Sequence, residues 1–144
     1  MFLPNRPLPT VTSDSAEFWS SARERAVRLQ RCERCGEYRY YPSPICHFCS
    51  SDEFTWQPIS GAGTIYSYTV LERAKGNPFE GDVPITIVLV ELAEGPVMMS
   101  NLIDGDPADL AIGARVTIDY ADVDGEVTLP VFRLVEEPAH DAGR

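Results

Sequence analysis

The sequence predicts a mainly β chain in three parts: an N-terminal helix, a short metal-binding ribbon and a five-stranded barrel. Three observations predict it. Residues 14–30 carry apolar side chains at helical spacing, all four cysteines fall within residues 32–49, and five strand-like runs fill residues 61–134. At 144 residues, 44% of them hydrophobic and 24% charged, the chain has one domain's worth of core with a small appended module. Disorder throughout and two full domains are both excluded on that ground.

Pro4, Pro7 and Pro9 make the first dozen residues an extended arm. No apolar run approaches the roughly 20 residues needed to span a bilayer. The arm also lacks the continuous apolar stretch of a signal peptide, so the expectation is a soluble cytoplasmic protein. The helix is expected over residues 14–30, where Phe18, Trp19, Ala22, Ala26 and Leu29 recur on one face. Asp14 with Glu17 resembles a capping box, and acidic residues open the segment while arginines close it, as the helix dipole favours. Its Phe18–Trp19 stripe has to pack on the later barrel, on the ribbon or on another chain.

The cysteines form two C-x-x-C pairs, Cys32 with Cys35 and Cys46 with Cys49, separated by ten residues. Two tight turns at that separation bring four thiols onto one tetrahedral ion. Gly36 follows the first pair, where a knuckle benefits from a residue without Cβ. Two disulfides are the alternative, disfavoured where the cytosol keeps thiols reduced. Zinc suits a closed four-thiolate site; iron fits the same cage, as in a rubredoxin, and the spacing does not separate them. His47 lies inside the second knuckle and is expected to face solvent. The ribbon, residues 31–57, is too short for a core of its own, so metal binding supplies its folding free energy, about 10 kcal/mol or more in finger peptides.

Strands are expected at residues 62–73, 84–93, 97–103, 116–120 and 127–134. The second is a nearly continuous apolar run, as for a strand buried on both faces. Asp124-Gly125 signals a hairpin turn, and Pro130 inside the last run marks an edge or a bulge. Five strands over residues 58–135 suit a small closed or partly open barrel of OB type, although strand counting does not exclude other five-stranded folds. Residues 136–144 are read as a polar, disordered tail.

Acidic residues number 22 against 12 basic, a formal charge of −10, which disfavours nucleic-acid binding. Six of the 12 basic residues, Arg23, Arg25, Arg28, Arg31, Arg34 and Arg39, nevertheless cluster in the first half, suggesting a site for an anionic ligand or an acidic surface.

The order of these parts resembles the DUF35 family, OB-fold proteins with a rubredoxin-like zinc ribbon found beside thiolase-like enzymes. The motifs that carry the resemblance are Phe18-Trp19, the segment 31–36, Pro42, the segment 46–49, Trp56 and the segment 60–63. Further matches are 67–70, 82–84, 90–92, Gly95-Pro96, 100–102, Ile112-Gly113 and 129–132, so the likeness covers roughly residues 17–134. Tyr41-Pro42-Ser43-Pro44 and His47 depart from the usual family pattern without removing a metal ligand. The resemblance implies a non-catalytic partner of a thiolase-like enzyme. That enzyme would be of the thiolase, hydroxymethylglutaryl-CoA synthase or steroid side-chain aldolase type, in a hetero-oligomer that binds or channels an acyl-CoA thioester in lipid or steroid metabolism.

The residue inventory agrees with a partner role. Acyl transfer needs an activated nucleophile beside a base; the cysteines are committed to metal, and the two histidines, His47 and His140, lie in a knuckle and in the tail. A CoA site needs cations for phosphates and apolar surface for the acyl chain. Arg73 and Lys75, with Phe79 at the same mouth, are one candidate set, and Arg28 with Arg31 another. The alternative is a single-strand nucleic-acid binder that stacks bases on Tyr66, Tyr68, Phe79 and Phe132.

Overall fold

The structure is a computed structural model describing residues 7–73, 75–76, 81, 83–123 and 125–135. Phe79, Asp124 and the tail from residue 136 lie outside the described residues, as do the first six residues of the arm.

The chain opens with helix α1, Ala16–Arg23, and then forms three ribbon strands, β1 (Arg28–Cys32), β2 (Tyr38–Arg39) and β3 (Phe54–Pro58). These make an antiparallel sheet ordered β2-β1-β3. The helix is half the expected length. Arg25 turns the backbone into the left-handed region at φ 61°, and residues 28–30 leave the helix to pair with β3 instead. Leu29, the last residue of the expected helical stripe, is buried at 0% exposure on a strand, whereas Ala26 of that stripe is exposed and Val27 beside it is buried at 2%. Helix and strand would both bury Leu29, and the distant β3 decides between them. The capping box also gives way. Ser15 is the N-cap without a side-chain cap bond, and Glu17 pairs with Arg28.

Five strands follow: β4 (Ala62–Leu71), β5 (Ile85–Leu92), β6 (Val97–Leu102), β7 (Arg115–Val123) and β8 (Val127–Leu134). They close a barrel in the order β4-β5-β6-β8-β7, with β7 pairing back to β4. This is the OB-fold arrangement. Its interior is filled by Ile65, Val88, Val90, Leu92, Met98, Val116 and Phe132. On β5 the face bearing Val88, Val90 and Leu92 is buried, whereas Ile87 and Leu89 are only half-buried, so the strand is not buried on both faces as expected. Pro130 pairs with Tyr120 of β7, beside the seam where β8 runs parallel to β6 with Leu102 opposite Phe132 and the Ser100 hydroxyl donating to the Pro130 carbonyl at 2.7 Å. At this weakly paired seam, a residue without an N–H is tolerated.

The helix, ribbon and barrel share one core. Phe18, Ala22, Val27 and Leu29 pack in the same cluster as the barrel interior, which gives the Phe18 stripe an internal partner. Around it, Val27 N–H donates to the Tyr120 hydroxyl at 3.1 Å and Arg25 pairs with Asp122 at 2.8 Å.

Barrel closure depends on Gly63, which pairs with Leu92 on one side and Val116 on the other. A Cβ there would lie 2.5 Å from Val90 Cγ1 and 2.8 Å from the Glu91 carbonyl oxygen. Gly63→Ala is therefore expected to destabilise the fold by roughly 2–3 kcal/mol through overpacking, read as a fall in the urea midpoint. An unchanged midpoint would show that the strands separate without cost.

Candidate metal centre and apolar pocket

Cys32 ends β1, and the chain then reverses through Cys35 and Gly36 into β2. Gly36 N–H donates to the Cys32 carbonyl at 3.0 Å, with Gly36 at φ 80°, the left-handed conformation a glycine adopts without strain. The second knuckle repeats the turn, Ser50 N–H donating to the Cys46 carbonyl at 3.0 Å with Ser50 at φ 64°.

The four sulfurs lie within 4.8 Å of one another, Cys32 to Cys49 and Cys35 to Cys46 each at 3.6 Å. A disulfide needs about 2.05 Å, so all four cysteines are free thiols. A tetrahedral ion with zinc–sulfur bonds of about 2.3 Å sets sulfurs about 3.8 Å apart, and the cluster matches that. His47 is exposed and outside the cluster.

The electrostatics also suit a cation. The Cys35 N–H, 3.5 Å from Cys32 Sγ, leads the backbone hydrogen bonds that lower the Cys32 thiol to about 6. The N–H groups of Cys49 and Phe48 likewise lower Cys46. At Cys35 the Glu37 N–H pulls downward, but desolvation and the three neighbouring sulfurs outweigh it and push the thiol up to about 12. Without a cation the Cys35 thiol resists ionisation beside its neighbouring sulfurs. A divalent ion removes that conflict and supplies a closed structural cross-link.

A second feature was not visible in the sequence. An apolar pocket of about 320 Å³ opens where Phe18 and Trp19 of α1 and Tyr40 lie over the barrel wall. Its floor comes from Leu71 of β4, Ile85 and Ile87 of β5, Met98 to Asn101 of β6 and Leu129 to Val131 of β8. The Phe18 ring meets the rings of Trp19, Tyr40 and Tyr41 edge-on at 5.0, 5.9 and 5.8 Å, and Trp19 Nε1–H donates to the Tyr41 hydroxyl at 2.8 Å.

The expected ligand cations are divided between two regions. Arg28 is bound to Glu17 and Glu24 at 2.6 and 3.3 Å, which raises its pKa. Arg31 donates to the Gly36 carbonyl at 2.9 Å and covers the Tyr38 ring. Neither lines the pocket. Arg73 and Lys75 are exposed just beyond the pocket-lining Leu71. Of the proposed base-stacking aromatics, Tyr66 and Tyr68 are exposed at 57% and 40%, but Phe132 is in the barrel core at 0% and unavailable to a ligand. Among the described residues no helix is long and apolar enough to cross a membrane.

The fold and the cysteine cluster define a zinc ribbon joined to an OB-fold barrel. Family comparisons agree in both halves: residues 19–55 match the rubredoxin-like zinc ribbon domain of ChsH2, and residues 56–121 match its C-terminal OB-fold domain. The chain is 32% identical over 126 residues to a DUF35 domain-containing scaffold protein of Methanocaldococcus jannaschii, covering 85% of this chain and 79% of that one. It belongs to the DUF35 family, and its ribbon carries a structural zinc ion.

Longer relatives are similar too. A probable enoyl-CoA hydratase alpha subunit of Thermomonospora curvata is 38% identical over 130 residues, which are 89% of this chain. The 3-oxo-4,17-pregnadiene-20-carboxyl-CoA hydratase alpha subunit of Mycobacterium tuberculosis is 36% identical over 114 residues, 79% of this chain. The match spans only 40% and 36% of those two proteins. Among solved structures, a chain of the Ltp2-ChsH2(DUF35) aldolase superposes with TM-score 0.79 at 35% identity, covering 88% of this chain and 98% of that one.

Proposed function

We propose that this chain is a non-catalytic subunit that assembles with a thiolase-like enzyme and helps bind or channel an acyl-CoA thioester. The observation that carries the reading is the match to a chain of the Ltp2-ChsH2(DUF35) aldolase, which extends over 98% of that chain. In this reading Cys32, Cys35, Cys46 and Cys49 ligate the zinc, which supplies a rigid cross-link and no chemistry at the substrate. The apolar pocket receives the uncharged portion of the thioester. Arg73 and Lys75, beyond Leu71, are the cations for its phosphates. Arg28 and Arg31 already hold internal partners and take a lesser part.

Two measurements test the reading separately. Affinity purification of the tagged chain from its native host is expected to recover a thiolase-like protein as a stoichiometric partner. Titration of that complex with an acyl-CoA is expected to weaken about tenfold on Arg73→Glu with Lys75→Glu, the loss of roughly 1.4 kcal/mol that two solvent-exposed phosphate contacts provide. Recovery of the chain alone would sink the partner role. Equal affinity in the double variant would remove these two residues from the site.

A further inference from the structure

The ribbon contains a buried cation that pairs with no carboxylate among the described residues. Arg39 on β2 is 2% exposed. It donates through Nη1 to the Ser43 carbonyl and lies 4.8 Å from the centroid of the Phe54 ring, while Nε and Nη2 have no hydrogen-bond partner. Ion pairs elsewhere in the chain hold Arg25, Arg28 and Arg133. A guanidinium stays protonated inside a protein, and a buried charge is costly unless another charge answers it.

The strand register identifies that charge. Arg39 is paired with Gln30, and Phe54 with Cys32. Gln30 and Cys32 are two residues apart on β1, so both project from one face, together with their cross-strand partners. To stack on Phe54 of β3 from β2, the Arg39 side chain must cross the central strand β1 on the face that bears Cys32. Ser43, which Arg39 holds by its carbonyl, is also held by its N–H donating to Gln30 Oε1 at 2.8 Å, and Cys46 follows three residues later.

Four thiolates around one divalent cation leave two negative charges in excess. We propose that Arg39 is the internal countercharge of the zinc–thiolate centre, a positioning residue that raises metal affinity through space. Its donors are not bonded to sulfur, so the coupling is the field of the guanidinium and not an N–H···S hydrogen bond. A unit charge held within several ångströms of an ion in a buried setting alters a binding equilibrium by roughly ten- to a hundredfold.

The test is chelator competition for zinc on the full reduced chain, comparing Arg39→Lys, Arg39→Met and Arg39→Gln. Lysine keeps the charge, methionine keeps length without charge, and glutamine keeps a donor for the Ser43 carbonyl. The expected result is that Lys holds zinc within a few-fold of the parent while Met and Gln bind roughly ten- to a hundredfold more weakly. If a neutral variant stays unfolded at saturating zinc while Lys folds, the outcome supports the proposal equally. Parental affinity in Met or Gln overturns it. A loss in Lys as large as in Met, including failure of both to fold, also overturns it, because shape rather than charge would then be responsible.

Discussion

Cys46→Ser is expected to abolish stoichiometric zinc binding and to unfold the ribbon. Cys46 is 3% exposed, and its sulfur lies 3.6 Å from that of Cys35 in a cluster where each thiolate completes the tetrahedron. A structural zinc contributes about 10–16 kcal/mol of apparent binding free energy in isolated finger peptides, more than the 5–15 kcal/mol by which a typical domain is stable. The loss does not stop at the ribbon. Val27 and Leu29 share a core with the barrel strands, so releasing β1 exposes apolar surface of both parts. Metal analysis should fall from one zinc per chain to none, with a melting temperature lower by more than about 10 °C. Chelation of the parent protein under reducing conditions should reproduce the change. A variant that kept its zinc and its melting temperature would show that three sulfurs suffice.

The second large effect is expected at Phe18. This ring is 1% exposed, contacts three other aromatic rings and stands where the helix, ribbon and barrel meet. Truncation to alanine removes the transfer free energy of the ring and leaves a cavity, together about 3–5 kcal/mol. Equilibrium urea denaturation reads this as a shifted midpoint. Phe18 also lines the pocket, so if the pocket receives the thioester as proposed, Phe18→Ala should weaken acyl-CoA binding even under conditions where the fold persists. A cost under about 1 kcal/mol would mean that the neighbouring rings collapse into the vacated space.

These two residues mark how differently the molecule was legible. The cysteine spacing specified the metal site because knuckle geometry is local: each pair needs only a tight turn, and the turns recur at Gly36 and Ser50. The five barrel strands were legible for a similar reason, since alternation along one strand reports a buried and an open face. The helical pattern extends to residue 30 because Leu29 satisfies a helical stripe as well as a strand, whereas Ala26 of that stripe is exposed. The segment that chooses between them, residues 54–58, lies 25 or more residues away. The three ribbon strands were missed because two to five residues pinned by metal and by one another carry no periodic signal.

By itself the sequence determined the order of the parts, the four-cysteine metal ribbon and the five strands that follow it, because each follows from patterns within a few residues of one another. Only the tertiary structure decided where the helix stops, that Phe132 is core, that Arg28 is already paired, and that a pocket lies between α1 and the barrel. The pocket takes residues from α1, Tyr40, β4, β5, β6 and β8. The physical reason is that burial and charge pairing depend on what approaches from elsewhere in the chain, and linear spacing does not record it.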